Sequence, residues 1–135
     1  KIRYPGIPQL KLVEIDEQPF TIENLTVTPL PVSHLHMPVT GFRIGRFSYI
    51  TDANDIPAST MKRLEGTDTL VLNALQREKH ISHFNLEEAI AMAERIGARQ
   101  TFLVHLSHKM GLHQQVEKEL PTGVALAYDG LSIEA

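Results

Sequence analysis

Two apolar runs on either side of one capped helix limit the fold more than any other feature of the chain. Residues 68–75 read DTLVLNAL and residues 101–106 read TFLVHL. A strand with one wet face alternates apolar and polar side chains, whereas a run without alternation belongs in a strand covered on both faces. The segment between them, NLEEAIAMAERIG at 85–97, carries its own start and stop signals. Asn85 is placed to cap the first turn, with Glu88 three residues on to complete a capping box. Leu86, Ala89, Ile90, Ala93 and Ile96 share one face, and Gly97 suits the residue after the last turn. This order predicts a layered α/β unit.

The rest of the chain adds strands and shorter helices. Residues 10–15, LKLVEI, roughly alternate and read as a strand. PFTIENLTVTPLPVSH holds two more strand candidates around Asn24, the second ending at or just before His34. GFRIGRFSYITD reads as a hairpin of Gly41–Ile44 and Phe47–Thr51 joined at Gly45-Arg46. Pro57 suits a first helical turn, which predicts a short helix over Ala58–Leu64 ending at Gly66. A further helix is expected over Leu112–Leu120, stopped by Pro121, and two short strands about Asp129-Gly130 in VALAYDGLSIE. There is no internal repeat, linker or low-complexity tract.

Composition narrows the function classes. The 135 residues make one domain or part of a larger one, and 42% hydrophobic residues suffice for a core. A formal charge of −3 argues against a broad basic surface for nucleic acid. With no cysteine, disulfides and thiolate metal sites are excluded. No apolar run approaches the roughly 18 residues that span a membrane, and no signal peptide is visible, so a cytoplasmic location is expected. The chain opens on Lys1 instead of Met, and its seven histidines are uneven, with none before His34 and four between His80 and His108.

Four polar residues fall at corresponding points of this map. His34 ends a strand; the next strand runs back and the one after returns, which brings Asp52 to the same edge. His105 ends the run that starts at Thr101, and His83 lies between the 68–75 strand and the capped helix. Strand ends pointing one way form one rim of a sheet, where α/β proteins usually build sites. Two neutral imidazoles and a carboxylate there suit a borderline divalent cation such as zinc, manganese or iron. Each residue also has a plainer reading. A strand-end histidine can be a surface or core side chain, Asp52 a turn starter, and His105 with His108 a helix-surface pair. His34 and His36 would share a face if their strand ran on.

The stretches PVSHLHMPVTGFRIGRFSYITDAND, SHFNLEEAIAMAERI, TFLVHLSHKMGLH and LAYDGLSIE carry a resemblance. Over about residues 25–134 the chain resembles the C-terminal half of a metallo-β-lactamase-fold hydrolase. The branch is the one holding the phosphoribosyl cyclic phosphodiesterases of phosphonate breakdown, related to the tRNA 3′-processing nucleases. The resemblance implies half of an αββα sandwich, a mixed sheet with helices on one face, and a site for two divalent ions, zinc or manganese. By the same resemblance His34 completes the first metal's shell, Asp52 bridges both metals and His105 is the last ligand of the second. His83 matches the residue that contacts the phosphate and protonates the leaving oxygen. His108 and Asp129 are weaker candidates that would orient ligands by hydrogen bonds, with a packing role equally open. His36, His80 and His113 read as surface residues.

The principal metal motif of that family, His-x-His-x-Asp-His, is absent from these residues. His34-x-His36 is the one His-x-His, and Pro38 stands where the aspartate would be. The N-terminal half is therefore expected to be missing and the chain to be an inactive fragment, with at most one weak metal shared by His34, Asp52 and His105. An exposed apolar sheet face would then favour a homodimer. The expected substrate is a small cyclic or nucleotide-like phosphodiester. Alternatives are a thioester, lactone or RNA 3′ end on the same fold, or a metal-free binding half-domain.

Overall fold

The computed structural model describes residues 10–134. Seven strands form one sheet in chain order: β1 (Phe20–Ile22), β2 (Leu25–His34), β3 (Met37–Ile44), β4 (Phe47–Ile50), β5 (Thr69–Asn73), β6 (Gln100–Val104) and β7 (Val124–Leu126). From β1 to β4 neighbours are antiparallel and joined by short turns; from β4 to β7 they are parallel. The parallel steps need crossovers, supplied by α1 (Ala58–Arg63), α2 (Leu86–Ile96) and α3 (His113–Val116). Because each crossover moves one strand further in the same direction and crossovers are right-handed, all three lie on one face. This is the mixed sheet with helices on one face that the sequence implied. Among the described residues no helix is long and apolar enough to cross a membrane.

The core sits between the sheet and these helices. Ile50, Leu72, Leu103 and Leu126 stand in register across β4–β7, all nearly or fully buried, and pack with Leu30, Leu64, Ala89, Met92 and Val116. On the opposite face the register aligns Pro29, Phe42, Tyr49, Val71, Phe102 and Ala125 in one row across six strands. No described helix covers that row.

The best-marked helix forms as its sequence predicts. The Glu88 amide donates to Asn85 Oδ1 at 2.8 Å and the Asn85 amide to Glu88 Oε2 at 3.1 Å, a complete capping box. Gly97 closes α2 in the left-handed conformation at φ 74°. The β3–β4 hairpin turns at Gly45-Arg46 as read, with β3 starting earlier, at Met37.

Three expectations fail. Residues 10–15 are not a strand, and Leu12 is 95% exposed. The sheet edge beside them is the three-residue β1, which offers too little ladder to hold another strand. The helix expected over Leu112–Leu120 is one α-turn, His113–Val116, followed by a 3₁₀ turn at Glu117–Glu119. Leu112 brings no capping side chain, and the Glu117 carboxylate accepts the Leu126 amide, tying that turn to β7. The second of the two strands about Asp129-Gly130 does not form either. The Leu131 amide donates to the Tyr128 carbonyl, closing a turn, and no described strand lies beside residues 131–134.

Candidate metal centre

The C-terminal ends of β2, β4, β5 and β6 share one rim, and the polar residues read from the sequence collect there. Strand β2 ends at His34 and turns back at once through Leu35-His36, with His34 paired to Met37. The strand does not run on, so His36 leaves the rim and lies exposed. Leu35 takes a left-handed φ of 58°, unfavourable for a branched residue, and its amide donates to Asn54 Oδ1 at 2.7 Å. Asn54 Nδ2 in turn reaches the Ile81 carbonyl at 3.2 Å. One side chain thus joins the turn after His34 to the loop that carries His83.

Asp52 follows β4 in a loop fastened from two sides. The Asn54 amide donates to the Ser33 carbonyl and the Ser33 amide to the Asp55 carbonyl, so residues 54–55 run alongside the end of β2. From below, the fully buried Asn73 accepts the Ala53 amide at 2.7 Å and donates to the Ala53 carbonyl at 2.9 Å. The carboxylate accepts a hydrogen bond from the Thr51 hydroxyl. Its Oδ1 lies 3.5 Å from His105 Nδ1 and its Oδ2 3.8 Å from His83 Nε2. His105 directly follows β6, at a left-handed φ of 60°. Leu35 and His105, two residues without glycine's freedom, are therefore held at positive φ on this rim, where such conformations commonly mark function.

His83 occupies the middle. Its Nε2 is 3.3 Å from His34 Nε2 in an edge-to-face pair, and its ring stacks on His105 with centroids 4.9 Å apart and planes 17° from parallel. Its side chain is 12% exposed. Burial pushes its imidazole below the ordinary histidine value, and the neighbouring His105 and His34 push the same way, opposed by the Asp52 carboxylate. One ligand atom each from His34, Asp52 and His83 lie within 4.8 Å of one another. Two imidazoles and a carboxylate at this spacing fit a divalent cation of the zinc or manganese kind.

Of the expected trio of His34, Asp52 and His105, His105 lies 3.5 Å from Asp52, but the group whose ligand atoms all lie within 4.8 Å of one another is His34, Asp52 and His83, without His105. His108 is exposed on the loop after β6. Asp129 is also exposed, and with Tyr128, His105 and Leu106 it lines an open cleft of about 410 Å³ beside the site. His80 is not a surface residue: it is half-buried, with its Nδ1 3.1 Å from His83 Nδ1. Asn73 and Asn54 escaped the sequence reading. A signal existed for Asn73, the one polar side chain inside the apolar run Thr69–Ala74 apart from its first residue; for Asn54 there was none beyond proximity to Asp52.

The sequence profile of the beta-lactamase superfamily domain matches residues 2–106, and the chain belongs to that family. Within it the chain has the metallo-β-lactamase fold. It superposes with a TM-score of 0.91 on a crystal structure described as a new diphosphatase from the PhnP family, at 32% identity, over 94% of this chain and 50% of that one. The metallo-β-lactamase-fold protein YhfI from Bacillus subtilis matches at 25% identity and a TM-score of 0.73, over 88% of this chain and 54% of its own. Human tRNase Z, short form, shares the fold at 21% identity and a TM-score of 0.66, over 87% and 47%. In sequence, 130 residues are 40% identical to a Porphyromonas gingivalis protein named octanoyltransferase, covering 95% of this chain and 26% of that protein. The chain therefore spans a quarter to about half the length of these relatives.

Proposed function

We propose that the protein carrying this chain is a metal-dependent hydrolase, a phosphodiesterase acting on a small cyclic or nucleotide-like phosphodiester. The observation that carries the reading is the placement of Asp52, one carboxylate oxygen toward His83 and the other toward His105. With His34 and His105 on the same rim, Asp52 would help hold divalent ions, zinc or manganese. Metals bound there supply positive charge for the phosphoryl oxygens and the nucleophile. His83, outside that pair, has its Nε2 where it can hand a proton to the leaving oxygen. The likeness to the PhnP-family diphosphatase supports phosphate as the substrate class.

Three ligands are too few for a closed site, so the remaining ligands come from another part of the protein, packed on the helix-free face. On this reading the 135 residues alone bind at most one weak metal, have little or no activity, and associate as a homodimer through that face. His108 and Asp129 are assigned no direct part. The test is hydrolysis of bis(4-nitrophenyl) phosphate and a 2′,3′-cyclic nucleotide by the full-length protein, metal-stripped and then given zinc or manganese. Turnover should return with metal. His83→Ala should lower it about 10²–10⁴-fold with metal still bound, and Asp52→Asn should lose the metal. Metal-independent turnover, or none with either metal, would sink the proposal.

A second reading follows from the relative named octanoyltransferase: chemistry on an octanoyl thioester. About three-quarters of that protein lies outside the match, so its name can belong to the remainder. Cleavage of an octanoyl thioester by the same preparation, faster than the phosphodiesters, would favour it.

A further inference from the structure

His83 is held at both ring nitrogens. Nε2 faces His34 Nε2 at 3.3 Å, while Nδ1 faces Ser82 Oγ at 3.0 Å and His80 Nδ1 at 3.1 Å. A third hydrogen bond fixes the role of His80 Nδ1. The Ser82 backbone amide donates to His80 Nδ1 at 3.4 Å, and an amide nitrogen can only donate. His80 Nδ1 is therefore the acceptor, with its proton on Nε2. A hydrogen in the contact between the two Nδ1 atoms can then come only from His83. The alternative path through Ser82 has the same polarity: its hydroxyl can accept from His83 Nδ1–H and donate to His80 Nδ1 at 3.3 Å.

We propose that His80, assisted by Ser82, is a positioning residue that fixes His83 as the Nδ1–H tautomer and turns the Nε2 lone pair toward His34 and Asp52. In the metal-free protein the hydrogen of the His34–His83 contact then sits on His34. A ring held this way takes a cation or a proton at Nε2, and donates from that atom only after taking up a proton. His34, Asp52 and His105 face the ring from β2, β4 and β6; His80 and Ser82 face it from its own loop. None of the groups on the other strands reaches Nδ1, so its partner is local.

The tautomer is read directly by two-bond proton–nitrogen correlation spectra of nitrogen-labelled histidine. The sample is the metal-stripped full-length protein at a pH where the ring is neutral, with His83 assigned by its loss in His83→Gln. His83 should show the Nδ1–H pattern. His80→Ala should convert it to a mixture containing the Nε2–H form. His80→Asn, whose side-chain oxygen can accept where Nδ1 did, should restore the first pattern. An Nε2–H pattern in the wild type would overturn the proposal whatever the variants do. So would a pattern unmoved by His80→Ala, or unrestored by His80→Asn. The inference does not depend on the reaction proposed above: a protein without hydrolase activity but with this tautomer would leave it standing.

Discussion

Neighbouring residues on β4 give the two faces of the sheet their contrast. Ile50 points toward the helices and is fully buried; Tyr49 points the other way and is 43% exposed. The same division runs through the register, Leu72 and Leu103 on one side, Val71 and Phe102 on the other. Both sides are apolar, yet among the described residues helices cover only one of them. A continuous apolar run in sequence thus reports that a strand expects two covers, without saying that the same segment of chain provides both.

Mutations test this contrast, and the largest effect belongs to the covered face. Ile50→Ala should destabilise the chain by about 2–5 kcal/mol in urea titration, the range for a buried aliphatic side chain cut to a methyl. A loss below about 1 kcal/mol would mean that the helices are not a true core. Next, Asn73→Ala strands the Ala53 amide and carbonyl in the interior, at about 1–3 kcal/mol by the same titration. It should also weaken metal binding by the full-length protein about tenfold or more, since the Asp52 loop loses its support. Unchanged affinity would separate Asn73 from the site. Asn85→Ala removes the α2 cap and should cost about 1 kcal/mol, with Asn85→Ser close to neutral. Smallest is Tyr49→Ala, at about 0.5 kcal/mol in the isolated chain. In the full-length protein, if the face is covered as proposed, the loss should rise several-fold; equal losses in the two would contradict that cover.

How much of this was legible depended on whether the information was local. The α2 helix needed only Asn85, Glu88 and Gly97, which lie within its own ends. The convergence of His34, Asp52 and His105 followed from counting strand directions, which the short turns made possible. His80 was misread because its role depends on a fold of the loop after β5 that brings two rings within 3.1 Å, and no periodicity encodes that. The segments at 10–15 and 131–134 carry alternation but have no neighbour to pair with among the described residues, and alternation is only half of a strand. At 112–120 a bond from Glu117 to β7 outweighed helical pattern.

The parallel run of β4 to β7 also sorts the connections into two groups. The turns at Gly45-Arg46, 64–68, 97–99 and 117–123 all lie at the starts of these strands, away from His34, Asp52, His83 and His105. Strands of three to five residues put roughly 10–17 Å between those turns and the rim. For anyone wishing to graft a fluorophore, an affinity tag or a purification handle into the protein, that remote edge is where insertions can grow without disturbing its chemistry.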